Sequence, residues 1–297
     1  RGDRDARLIL QNVITTGDAP ARASAARQLH GFSWYVAGPI AQQALKDADS
    51  RVREGAVYAL CDMRDINAYQ LLVETLQNET DNVRAAAAWG LRDCQDAAAV
   101  PVLESVLKAI DPDVRVKGLE ALGANQTSLA VPIVRHSLDD VDHDVQYAAT
   151  LSWLELMAEA CLLDLALEIE RSSGLKRAAI LRGLFHATNY LQMDIVKSST
   201  ADRVISAIES ALLDPLPQTR LAAIWPLAWI RHPRAPAILQ QAYDREQNSD
   251  VKAPLVQIAY NLMSPAGKSI LETALQSSDD HVRETARAIA HEHQLSF

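Results

Sequence analysis

Aromatic residues are scarce in this chain of 297 residues, at 5%, and glycine (11), proline (12) and cysteine (3) are few. Sheets draw on aromatic and β-branched side chains, whereas abundant alanine favours helices packed closely through small side chains. Cys61, Cys94 and Cys161 fall at no metal-ligand spacing and are odd in number. They read as buried or half-buried thiols in a reducing compartment. No apolar run approaches the roughly 18 to 20 residues that span a bilayer, which sets the expectation of a cytoplasmic protein without a membrane span. Basic clusters are absent too, and the net charge is −9. An acidic chain repels phosphate backbones unless it concentrates its bases, so nucleic acid is not expected as a partner. Arg1 opens the chain without Met or a signal-peptide pattern, which reads as a trimmed piece of a longer protein.

What the chain does have is a period. The phrase "DSRVR" at 49–53 returns as "DPDVR" at 111–115, "DHDVQ" at 142–146 and "DDHVR" at 279–283. With the base as position zero, Arg22, Arg53, Arg84, Arg115, Gln146 and Arg177 follow at intervals of 31 residues. Arg220 comes after 43, Lys252 after 32 and Arg283 after 31, so nine units cover the chain with one insertion at 189–200. Within a unit, positions −1, +3, +7 and +10 are apolar: Val52, Ala56, Leu60 and Met63, then Val83, Ala87, Leu91 and Cys94. That spacing marks one face of a helix. Positions +2 and +6 are small, as in Gly55, Ala59, Ala86 and Gly90, and admit a neighbouring helix. The acid before the apolar start caps the helix, so Asp49 and Ser50 open one and Val52 anchors it.

A second apolar segment precedes each phrase, as in 38–47, 100–110 and 131–140, with Pro39, Pro101 and Pro132 placed for a first helical turn. Each unit is therefore helix, turn, helix. Neither helix buries its apolar face alone, so the units must stack. The expectation is an all-α, right-handed α-solenoid of about nine helix-turn-helix repeats in one domain.

"AAVPVLESVLKAIDPDVRVKGLEALG" at 98–123 resembles the short HEAT-like repeat named after phycobilisome lyases. The resemblance implies an Asp–Arg ladder between adjacent repeats, through Asp49/Arg53, Asp111/Arg115 and Asp279/Arg283, broken at Gln146. It also implies a choice of functions, since such repeats occur in bilin lyase subunits and in assembly scaffolds.

Catalytic motifs are lacking. His136, His143, His186 and His232 are scattered over different units, and no phosphate loop is present. Iron-binding HEAT-like relatives use several His-Glu pairs; here His291-Glu292 stands alone, and no metal or other cofactor is expected. Positions +1, +5 and +8 of the second helices lie opposite the core stripe, yet they hold Tyr58, Trp89, Tyr147, Leu151, Leu154, Phe185, Leu221, Trp225 and Tyr260. Glu54, Arg92, Glu120 and Arg182 stand among them, while Trp153 and Trp229 read as packing. Aromatic anchors between charges are the composition of a protein-binding groove. The expected function is a non-catalytic scaffold holding a protein partner in its concave groove. The alternative is a bilin lyase subunit that attaches or removes an open-chain tetrapyrrole on a phycobiliprotein.

Overall fold

In the computed structural model, which describes residues 2–79, 81–92, 97–261 and 265–293, the chain is all-α, with no strand among those residues. It divides into two compact units, 1–156 and 157–297. Unit one holds α1 (Gly2–Thr16), α2 (Ala19–Arg27), α3 (Trp34–Ala44), α4 (Ser50–Met63) and α5 (Ile66–Asn78). It continues through α6 (Asp81–Arg92), α7 (Val100–Val106), α8 (Pro112–Ala124), α9 (Val131–His136) and α10 (His143–Met157). Unit two begins with α11 (Leu162–Arg171), α12 (Gly174–Tyr190), α13 (Ala201–Ala211) and α14 (Pro217–Ile230). It ends with α15 (Ala235–Arg245), α16 (Ser249–Asn261), α17 (Pro265–Leu275) and α18 (Asp280–Glu292). Position zero falls in every even-numbered helix, so the sequence period is the helix pair. No described helix is long and apolar enough to cross a membrane.

Within each unit the pairs stack as in an α-solenoid. Second helices pack on second helices (α2 on α4, α4 on α6, α12 on α14, α16 on α18), and first helices on first (α1 on α3, α11 on α13). The apolar stripe forms the core: Val52, Ala56, Leu60, Ala87 and Leu91 are fully buried, and Val83 nearly so. Cys61 is half-buried and Cys161 buried, while Cys94 lies outside the described residues. Small residues set the approach distance. A Cβ on Gly55 would stand 2.7 Å from the Ala23 carbonyl oxygen, a backbone atom that cannot swing aside. Pro101 and Pro132 occupy first turns as expected. Pro39 does not: α3 begins earlier, at Trp34, and Pro39 lies inside it. The carbonyl deprived of a donor there belongs to Tyr35, a residue 88% exposed.

The repeated base has two tasks. Its first is to donate to backbone carbonyls of its own interhelix turn. Arg53 reaches Asp47 O at 2.8 Å, Arg84 reaches Glu79 O at 2.8 Å, and Arg115 reaches Ala109 O and Ile110 O at 2.9 Å. Arg22, Arg177, Arg220 and Arg283 do the same, as do Gln146 to Asp140 O and Lys252 to Glu246 O. These carbonyls are the orphan acceptors at the end of a first helix and its turn.

The second task is a rung to the next turn. Arg22 pairs with Asp47, Arg53 with Glu79, Arg84 with Asp111 and Arg115 with Asp140 in unit one. In unit two Arg177 pairs with Asp214 and Arg220 with Glu246. The Arg22, Arg115 and Arg220 rungs are bidentate, all bonds lying between 2.7 and 2.9 Å. Arg53 Nε stands 3.0 Å from Glu79 Oε1 but is not aligned for a hydrogen bond, so that rung is purely ionic.

The expected ladder is thus present through Arg53, Asp111 and Arg115, and corrected at Asp49 and Asp279. Asp49 is no rung: it caps α4 by accepting from Arg51 N at 2.9 Å, and the Arg51 guanidinium holds its carboxyl down at about 2. The acid of that turn is Asp47. Asp111 is an inter-repeat rung as expected, receiving Arg84 of the preceding repeat, whereas Asp279 caps α18 while accepting from Ser249. Gln146 does lack a rung; its amide nitrogen donates only to Asp140 O, at 2.6 Å. The insertion at 189–200 is looped out, because Arg177 still finds its rung acid, Asp214, 37 residues on. Ile195, 1% exposed, anchors that loop.

Asp140 raises the Arg115 guanidinium above the usual arginine value by its hydrogen bonds, outweighing the burial that opposes it. Replacing Arg115 by Ala is expected to cost about 1 to 3 kcal/mol in urea unfolding, the range for a partly buried charge-assisted contact. Arg283→Ala should cost less, since Arg283 holds its turn and the neighbouring Asp280 but no following acid. Equal losses would mean that the rung adds nothing to the turn tether.

Candidate protein-binding face

The even-numbered helices present one residue each at position +5. In unit one the row runs Arg27, Tyr58, Trp89, Glu120 and Leu151. Its first three members touch in series. The Arg27 guanidinium lies 4.3 Å from the Tyr58 ring centroid, and Tyr58 meets Trp89 edge-on at 6.3 Å. The ring quadrupole favours both arrangements. Arg27 escaped the sequence expectation, although it occupies the same +5 position relative to Arg22. Tyr58 is half-buried and Trp89 is 56% exposed. Arg27, Arg51, Glu54 and Tyr58 line an open cleft of about 330 Å³ over Ala23, Ser24 and Gly55.

Further along, the face becomes polar. Arg92 is exposed and Glu120 half-buried, the latter accepting from Lys117 Nζ at 2.9 Å. Tyr147 and Leu151 are half-buried. Ser152 Oγ donates to Leu119 O at 2.8 Å, drawing α10 against α8. The Glu155 carboxylate folds over Gly123, where an added Cβ would stand 2.5 Å from Oε2. Burial pushes the Glu155 carboxyl up; the Arg92 charge opposes this and the Glu120 charge reinforces it.

One expectation fails in unit one's last helix and one holds. Leu154 is fully buried, not on the surface, because the end of α10 is covered on more than its core stripe. Glu155, which no sequence pattern singled out, carries a raised carboxyl on this face. Trp153 is 1% exposed, in keeping with a packing role, and the Arg135 guanidinium sits 4.9 Å from its ring centroid.

In unit two, Arg182 is exposed, Phe185 and Leu221 are half-buried, and Trp225 is 41% exposed. Phe185 stands 5.8 Å from Trp225 and 5.9 Å from Trp229, ring centroid to centroid. Trp229 corrects the packing expectation: it is 51% exposed. At about 100° per residue, position +9 falls only about 40° from +5, which puts it on the solvent side. Tyr260 is corrected in the other direction. It is 9% exposed, with the His293 ring tilted over it at 4.9 Å, because α18 packs across α16.

Residues 6–92 and 70–152 each match the HEAT repeats family. This is a HEAT-repeat protein. No curated protein matches the chain. Among solved structures, the HEAT-repeat chain is similar to a mutant of Kap121p at 17% identity, covering 94% of this chain and 36% of that one, with a TM-score of 0.61. It is also similar to human deoxyhypusine hydroxylase in complex with glycerol: 18% identity, 93% and 99% covered, TM-score 0.37. The complex of CpcE and CpcF of phycocyanin lyase from Nostoc sp. PCC7120 matches at 20% identity, with 86% and 94% covered and a TM-score of 0.40. At such identities the likeness is one of fold, and the Kap121p match carries it.

Glu155 yields a pH signature. Its carboxyl is raised in the folded chain, so the cost of its charge is fully felt above the folded value and vanishes below the unfolded one. Glu155→Gln should therefore be more stable than the parent at neutral pH, with the gap closing as pH falls through the carboxylate range. Denaturation at a series of pH values reads this directly. A gap that widens on acidification would contradict the assignment.

Proposed function

We propose that this HEAT-repeat chain is a non-catalytic, cytoplasmic scaffold that binds a protein partner on the face of its second helices. One observation carries the reading. Trp89 and Trp225 sit at the same +5 position of different repeats and are 56% and 41% exposed. A soluble helix places polar groups there, and leaving indoles in water costs burial energy that a bound partner would return. Trp and Tyr are also the side chains that dominate binding hot spots, because they bury large rigid areas at little entropic cost. The shared fold adds support: Kap121p, similar at a TM-score of 0.51, is a protein whose structure has been solved bound to Pho4p.

The arrangement favours binding over chemistry. The groups drawn together among the described residues are rings, guanidiniums and the Lys117–Glu120 pair.

Affinity capture with the whole chain, followed by titration of the captured protein, tests the reading. Trp89→Ala and Trp225→Ala should each leave the fold nearly intact, since little core volume is removed, while weakening partner binding by roughly 2 kcal/mol or more. Unfolding penalties of about 3 to 5 kcal/mol would instead identify the indoles as packing. Unchanged affinity in both folded variants would refute the face.

A further inference from the structure

We propose that the cleft between α2 and α4 in unit one recognises an extended segment of a protein partner that carries a basic and an acidic side chain two residues apart. The proposal rests on the scaffold reading and names the chemistry of its partner.

The first observation is a pair of opposite charges that share a cleft without meeting. Arg27 and Glu54 both line the opening of about 330 Å³, yet neither forms an ion pair among the described residues. Arg51, the third charge there, brings its own anion: its guanidinium is bidentate with Asp49, at 2.7 and 3.0 Å. Glu54 is therefore left as the carboxylate of the cleft, and Arg27 as its cation. The floor beneath them is Ala23, Ser24 and Gly55, whose side chains are too short to fill the space.

The second observation is the spacing of the two charges. The Arg27 guanidinium is held over the Tyr58 ring at 4.3 Å, which sets it level with position +5 of α4, while Glu54 stands at +1. Four residues at 1.5 Å each separate these levels, about 6 Å along the helix. An extended chain puts residues i and i+2 on one side at about 6.8 Å, whereas adjacent residues point to opposite sides. A base and an acid two residues apart thus reach Glu54 and Arg27 together. A guanidinium steadied by a ring keeps its fork of N–H donors for a carboxylate, and holding it in place lowers the ordering cost of binding.

The third observation separates this pair from what stacking requires. The rungs recur along the array, but among adjacent second helices only α2 and α4 combine a base at +5 with an acid at +1 of the next. Arg182, the other base at +5, is matched with Leu221 instead. Charges arranged this way favour one partner pattern and repel others, which is how electrostatics confers specificity.

Arginine beside aromatic rings also suits single-stranded nucleic acid, although Glu54 would repel its phosphates. The test therefore includes it. Labelled peptides on a common Ser and Thr frame carry Lys-Ser-Glu, Lys-Glu, Lys-Ser-Lys or Glu-Ser-Glu, and labelled oligothymidylate is the fifth probe. Each is titrated with the whole chain, and fluorescence anisotropy is read. The Lys-Ser-Glu peptide should bind at least about fivefold tighter than the other three. Arg27→Gln and Glu54→Gln should each abolish that preference with helical content unchanged, and Arg27→Glu should transfer it to Lys-Ser-Lys. Tyr35→Ala, at an exposed ring on α3, should leave binding as it was. Equal binding of the Lys-Glu peptide overturns the proposal, as does indifference to the Gln variants, tighter binding of oligothymidylate or no binding of any peptide. If it is overturned while capture still depends on Trp89 and Trp225, the scaffold reading survives without this partner chemistry. If neither indole matters to any partner, the scaffold reading fails as well.

Discussion

Everything in this fold hangs on one base per repeat that must satisfy its own turn and reach the next. A helix leaves its last carbonyls without donors, and stacking the repeats puts those carbonyls beside a neighbour's turn. Guanidinium has five donors in a fixed fork, enough for one or two carbonyls and a carboxylate together. Arg115 does all of this, donating to Ala109 O, Ile110 O and both Asp140 oxygens. The exceptions show which task comes first. Gln146 and Lys252 have fewer or less directed donors, and both keep the turn tether while giving up the rung. The acceptor, in turn, organises the backbone after it: Asp47, Asp140, Asp214 and Glu246 each accept an N–H from two residues further on.

This arrangement also explains how a binding face arises without a dedicated site. Tethering every second helix at its start fixes the rotation of each about its axis, so the +5 positions fall in line within a unit. Arg27, Tyr58 and Trp89 make contact through that alignment, though they come from three helices. In unit two a looped-out insertion leaves the alignment undisturbed, because the Arg177–Asp214 rung closes beneath it. The surface so held carries the rings of Phe185, Trp225 and Trp229 on α12 and α14.

Much of this was legible in the sequence, because the period, the helix stripe and the caps are local facts. Val52, Leu60 and Leu91 could be placed in the core from spacing alone. The rung acid could not. Asp47 and Asp49 stand two residues apart, either could cap or pair, and only the packed neighbour decides. Leu154 and Tyr260 were misplaced for a related reason: helical periodicity reports what a helix needs for its own pair, not what later elements lay over it. Trp229 was a different failure. Its angle about the helix already pointed outward, and the preference for burying a large indole hid that signal. Glu155 left no trace in any pattern, since its raised carboxyl depends on burial against the adjacent helix α8 and on the opposed charges of Arg92 and Glu120.

The claim that the rung couples neighbouring repeats is tested most directly by a double-mutant cycle on Arg115 and Asp140, with Arg51 and Asp49 as the exposed comparison. The Arg115–Asp140 side chains are only 10% and 16% exposed, against 63% for Arg51. A coupling of about 1 kcal/mol or more is expected for the rung, clearly above that of the exposed pair. Additive losses at Arg115 and Asp140 would contradict it, and would leave the base as a tether for its own turn alone.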